Sequence, residues 1–171
     1  MFPSEKNIPI NIVMQEVIKE SIQGFGESIQ GEQDNNLSVI DLSEGPIAVA
    51  IRIANAFQNG EIVAMMADRF LTQQGGVAVT FLGQQVIINK NPFEVAYNRN
   101  IPLIALLSLR EKDYHYSARY YWLSAYDRSL SKEQAISNSA QEYAEILEKV
   151  VKEHPDQWFN HYDFFNSGKV S

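Results

Sequence analysis

Asp68 and Arg69 close an uninterrupted apolar run, Ile62 to Ala67. In sheets built from parallel strands, ligands bind beyond the carboxyl ends, so an acid and a guanidinium at such an end can hold a polar substrate. The same two residues also fit a surface ion pair, or an aspartate that opens a turn. Three histidines are the other groups able to move protons near neutral pH. His115 falls among Tyr114, Tyr116 and Tyr120 in an alternating stretch and reads as a sheet histidine. His154 sits where a long helical pattern ends, a place where a cation complements the helix dipole. His161, beside Tyr162 and Asp163, reads as a structural hydrogen-bonding group. None of the three is assigned catalysis. Glu111 and Asp113 read as solvated turn charge rather than as the acid and nucleophile of a glycosidase. The chain has no cysteine, which excludes disulfides, Cys-ligated zinc and thiol chemistry. Gly24 and Gly26 lie inside a helical pattern without the rest of a phosphate-binding fingerprint, so nucleotide binding is not expected.

The elements that must position Asp68 follow from periodicity. Ile8 to Met14 is β-rich, with Pro9 where a missing N–H is tolerated. Gln15 to Gln30 places Val17, Ile18, Ile22, Phe25 and Ile29 along one helical face. After a polar loop, Leu37 to Leu42 reads as a short strand. Pro46 then opens a helix in which Ile47, Ala50, Ile51, Ile53, Ala54 and Phe57 recur at helical intervals, and Asn59-Gly60 stops it. Ile62 to Ala67 has the pattern of a central strand covered on both faces. Val77 to Leu82, Gly83 and Gln85 to Ile88 form a hairpin pattern. A short helix is expected from Pro92 to Asn98. Ile101 to Leu109 reads as a buried strand and Tyr114 to Leu123 as its antiparallel neighbour. The last helix, Lys132 to His154, should bury Ala135, Ala140, Tyr143, Ala144, Ile146, Leu147 and Val150, with Ser131 and Gln134 as a capping box. The expected fold is therefore α/β, a single domain over 1–171 with a mixed, mostly parallel central sheet flanked by helices.

A formal charge of −7 argues against a nucleic-acid partner, which needs clustered Lys and Arg. No apolar run approaches the ~20 residues of a membrane-spanning helix. The first residues lack the basic start and apolar stretch of a secretory signal. Cytoplasmic residence is the simplest expectation, with peripheral attachment at the inner membrane left open. Trp158, Phe159, Tyr162, Phe164 and Phe165 make the tail strongly aromatic. Packing against the sheet and anchoring in a lipid headgroup zone are the two readings of that tail. The scarcity of basic residues near it counts against a strong electrostatic anchor.

Five strings, in order, carry a resemblance. Gly60-Glu-Ile-Val-Ala-Met-Met-Ala-Asp-Arg-Phe70 is followed by Val79-Thr-Phe-Leu-Gly83, Asn91-Pro-Phe-Glu-Val-Ala96 and Ile101-Pro-Leu-Ile104. The fifth pairs Gln141-Glu-Tyr-Ala-Glu-Ile-Leu-Glu with Pro155-Asp-Gln-Trp-Phe-Asn160. The collinear set, which together with the preceding strand and helices covers Asn7 to Phe165, resembles bacterial lipid A biosynthesis acyltransferases and their glycolipid-acyltransferase relatives in the lysophospholipid acyltransferase superfamily. The resemblance implies transfer of a fatty acyl chain from acyl carrier protein or acyl-CoA to a hydroxyl of a membrane glycolipid, with no metal or redox cofactor. It implies that Asp68, and less firmly Arg69, binds the acceptor's sugar or phosphate or helps orient its hydroxyl. The family's His-x-x-x-x-Asp/Glu motif is missing: five residues after His115, His154 and His161 stand Tyr120, Phe159 and Asn166. That departure implies either a fragment whose N-terminal segment lies elsewhere, or a noncatalytic homologue that binds lipid or a partner. A fragment would leave a sheet edge or apolar face open to self-association.

Overall fold

The computed structural model describes residues 8–14, 36–68, 75–112, 115–158 and 164–165. They group into two units, one ending at Met66 and the other beginning at Ala67. The fold is α/β. The helix expected over Gln15–Gln30 lies outside the described residues.

In the first unit, β1 (Ile10–Met14) runs parallel to β2 (Leu37–Asp41) on one side and β3 (Ile62–Met65) on the other. The apolar run that suggests a central strand at Ile62 to Ala67 is instead an edge of this ladder among the described residues, and β1 is its middle. Hydrophobic continuity does not distinguish the two places. The central strand carries a polar residue, Asn11, only 7% exposed. Its burial is tolerable because it is paired: Ser38 Oγ donates to Asn11 Oδ1 at 2.5 Å, and Asn11 Nδ2 donates to Glu61 Oε2 at 2.8 Å.

Between β2 and β3 lies α1 (Pro46–Gln58), with Pro46 in its first turn. It stops as its sequence predicts. Gly60 takes φ 73°, its N–H donates to Phe57 O at 3.1 Å, and the Glu61 N–H donates to Ala56 O at 2.9 Å, a Schellman arrangement. The buried stripe is Val49, Ile53 and Ala56. Ile47 and Ile51 belong to the same helical pattern yet are 77% and 56% exposed. A helix apolar nearly all round does not reveal its inner face.

The second unit begins with a hairpin of β4 (Gly76–Phe81) and β5 (Gln84–Asn89). Its two-residue connection, Leu82-Gly83, takes φ 49° and 76°, the positive values that match the twist of the flanking strands. Next come α2 (Asn91–Arg99), the antiparallel pair β6 (Ile104–Arg110) and β7 (Tyr116–Trp122), and α3 (Lys132–Glu153). Each antiparallel pair forms a two-stranded ladder of its own.

The core of this unit sets Val79, Phe81, Val86, Ile88 and Phe93 against Ile136, Ala140, Ala144, Leu147 and Val151 of α3. Tyr143 and Ile146 of the expected buried side are half-buried, while Ile136, Ser139 and Val151 are buried. Ser131 caps α3, its hydroxyl accepting from the Gln134 N–H at 3.2 Å. The aromatic tail packs inward: the rings of Trp158, Phe164 and Phe165 lie 5.2, 5.6 and 6.4 Å from Phe81. Phe159 and Tyr162 are outside the described residues.

β6 corrects the expectation of a fully buried strand. Only Ala105 and Leu109 are buried, and Ile104 and Leu106 are 47% and 67% exposed, because β6 belongs to a two-stranded ribbon with one open face. Among the described residues no helix is long and apolar enough to cross a membrane.

Candidate functional site

Asp68 follows the end of β3 by three residues and is half-buried. Its neighbour Ala67 is 8% exposed, and the Ala67 carbonyl accepts from the Asn89 N–H at 2.8 Å. The next amide along, Lys90 N–H, donates to the Gly75 carbonyl at 2.9 Å. Two consecutive amides at the end of β5 thus hold both Ala67 and Gly75. Asp68 leaves the first of these anchors. Arg69 lies outside the described residues.

The segment that supplies those amides is itself fixed. Asn89 Oδ1 accepts from the Asn91 N–H at 3.0 Å, satisfying one of the unpaired donors at the start of α2. Pro92 follows in the first turn, where its missing N–H costs nothing, and Phe93, 2% exposed, pins that turn into the core. The Asn-Pro-Phe string thus supplies a helix starter in Pro92 and an anchor in Phe93, while the acceptor for the Asn91 N–H comes from Asn89, ahead of the string. Glu94, in the same turn, bonds Lys132 Nζ at 2.6 Å and faces Lys90 at 3.7 Å. The hydrogen bond from Lys132 holds the Glu94 carboxyl below its ordinary value against the opposing effect of burial, and Lys90 adds to the lowering. The start of α2 is thereby tied to the start of α3.

Side chains of α3 and of the turn after it also hold strand backbone. Gln141 accepts from the Thr80 N–H at 2.8 Å and donates to the Thr80 carbonyl at 3.1 Å. Glu148 accepts from the Leu82 N–H at 2.7 Å and pairs with Lys152. The bond from Lys152, then that from Leu82, lowers the Glu148 carboxyl pKa. Gln157 accepts from the Arg110 N–H at 2.7 Å and donates to the Arg110 carbonyl at 3.0 Å. The Pro-x-Gln-Trp-Phe string therefore supplies a carboxamide that fixes the end of β6 and, through Trp158, a ring that packs on Phe81.

The histidines take the following places. His115 is exposed in the turn before β7 rather than in the strand; its N–H donates to Lys112 O and its carbonyl accepts from the Glu111 N–H, both at 2.8 Å. His154 caps α3 through its backbone N–H, bonded to Val150 O at 2.9 Å. Its ring Nε2 lies 3.4 Å from Arg119 Nη2, so a guanidinium stands beside the imidazole at this helix end. His161 lies outside the described residues.

Sequence reasoning passed over Asp41, the last residue of β2, which is 6% exposed and accepts from the Ser43 N–H at 2.8 Å. The signal that marks Asp68, an acid where an apolar run ends, marks Asp41 equally. Asn89 carried no local signal, and Gln141 and Gln157, though they stand in the fifth string, gave no sign of their partners, which are set by tertiary packing. Chemically, the Asp68 carboxylate can accept hydrogen bonds from sugar or other hydroxyls. Among the described residues no group of three His, Asp or Glu is placed to hold a metal ion.

No curated protein matches the chain. A family model describing bacterial lipid A biosynthesis acyltransferases matches residues 11–162. Nearly the whole sequence is covered, and the chain belongs to that family.

Proposed function

We propose that this chain provides the acceptor side of an acyl transfer: Asp68, with Arg69 beside it in sequence, receives the polar part of a membrane glycolipid, and an acyl thioester of acyl carrier protein or coenzyme A is the donor. In that reaction the acceptor hydroxyl oxygen attacks the thioester carbonyl, the carbon–sulfur bond breaks, and the hydroxyl proton ends on the departing thiol. Asp68 accepts a hydrogen bond that orients the acceptor, and Arg69 meets its phosphate. The base comes from outside this sequence, since none of its histidines has a carboxylate five residues on. The observation that carries the reading is the family match over 11–162, taken with an acid leaving a fixed anchor at Ala67.

The missing histidine motif favours a second reading, a family member that binds glycolipid without transferring acyl chains. Calorimetric titration of the chain with a phosphorylated glycolipid in detergent tests both, run beside Asp68→Asn and a thiol-release assay with acyl-CoA. A carboxylate hydrogen bond contributes about 1.5–3 kcal/mol, so Asp68→Asn should weaken binding roughly 10- to 100-fold. Asp68-dependent thiol release would remove the noncatalytic reading. Equal binding by both proteins, or none by either, would remove the acceptor role of Asp68.

A further inference from the structure

We propose that the open face of the β6–β7 ribbon is a dimer interface whose occupant is the same face of a second copy of this chain. Cross-strand register places Ile104 opposite Trp122, Leu106 opposite Tyr120 and Arg110 opposite Tyr116. These side chains share one face, and Leu106, Tyr116, Tyr120 and Trp122 are each between 62% and 67% exposed. The opposite face is the packed one, carrying buried Ala105 and Leu109. Antiparallel ribbons with one wet face ordinarily make it polar. This one is aromatic.

Three large rings with Leu106 and Ile104 offer on the order of 500–700 Å² of apolar surface. Two such faces together reach the ~1,000 Å² that a specific interface needs. The face carries no Lys, Asp or Glu, and it is rich in Tyr and Trp with one Arg, the composition of an interface centre. A lipid surface would call for several cations, and here there is one. The face is also self-complementary. Arg110 marks one end and Trp122 the other, so a two-fold axis through the ribbon's middle brings the guanidinium end of each face onto the indole end of its mate, a cation–π match.

Sedimentation velocity of the full chain over a micromolar concentration series should show a monomer–dimer equilibrium, weakened roughly 10- to 30-fold by Tyr120→Lys. The chain has no cysteine, so Ala118→Cys, near the middle of the face, gives a clean second probe. Packed sheets lie about 10 Å apart, and a bis-maleimide of that span should trap the Ala118→Cys dimer. Asn98→Cys, exposed on α2, should not be trapped. If Tyr120→Lys fails to fold by circular dichroism, the crosslink decides. A monomer throughout the series would overturn the proposal, as would a dimer that neither crosslinks through Ala118→Cys nor responds to a folded Tyr120→Lys. Binding of the monomer to phospholipid vesicles, lost in Tyr120→Lys, would make the occupant a lipid and overturn it too.

Discussion

Gly83 is the residue whose local chemistry is least negotiable. It sits at φ 76° with nothing within 4 Å of where a Cβ would stand, so Gly83→Ala meets no clash and isolates the backbone term. A side chain in the left-handed region costs roughly 1–2 kcal/mol, and urea unfolding should show a loss of that size. A loss below the error of extrapolation would mean the turn relaxes. Its partner Leu82 tolerates φ 49° while its N–H is taken by Glu148. At this scale the sequence was legible where a residue type has one physical use: Gly83 in a turn, Gly60 after a helix, Ser131 before one. Asp68 was legible as a position, the acid closing an apolar run, because strand ends are visible in hydropathy. Asn89 was not, since nothing local says that its amide reaches Ala67 and its carboxamide caps α2.

Gln157 shows how one element disciplines another. Its carboxamide matches both backbone groups of Arg110, so Gln157→Ala should cost about 1 kcal/mol, softened by water at this exposed site. Hydrogen exchange at the Arg110 amide should quicken in the variant, while amides inside α3 keep their protection. Unchanged exchange would show that the carboxamide does not hold the strand. The junction of α2 and α3 carries a pH signature. Glu94 titrates below the usual carboxylate value in the folded chain, so its contribution is present above about 4.5 and is lost as pH falls through the lowered value. The pair is partly exposed, and solvent screening keeps the effect small. Glu94→Gln should flatten the acid limb of a stability–pH curve; an unchanged limb would mean that other carboxylates set it. Element boundaries were largely readable, because capping and turn residues announce them. Which face of α1 turns inward was not, because Ile47 and Val49 are equally apolar. Nor was the place of Ile62–Met65 at the edge of the ladder among the described residues, since strand order depends on pairings that no single strand encodes.

Across the whole molecule, membership of the acyltransferase family and the hydrogen bonds that fix Ala67 beside Asp68 support the proposal that glycolipid is received there. The family was legible because five short strings keep their order, and the structure gives several of them mechanical work: starting α2 and anchoring it through Phe93, turning the hairpin, fixing β6. The transfer chemistry was not legible in the same way, since the imidazole that the family uses has no counterpart among His115, His154 and His161. Hydrogen exchange of the full chain, with and without a phosphorylated glycolipid in detergent, decides whether the ligand binds at Asp68. Slowed exchange is expected in peptides spanning Asp68 and Asn89–Asn91 alone, and is absent in Asp68→Asn. Protection that spares those peptides, or that persists in Asp68→Asn, would contradict it.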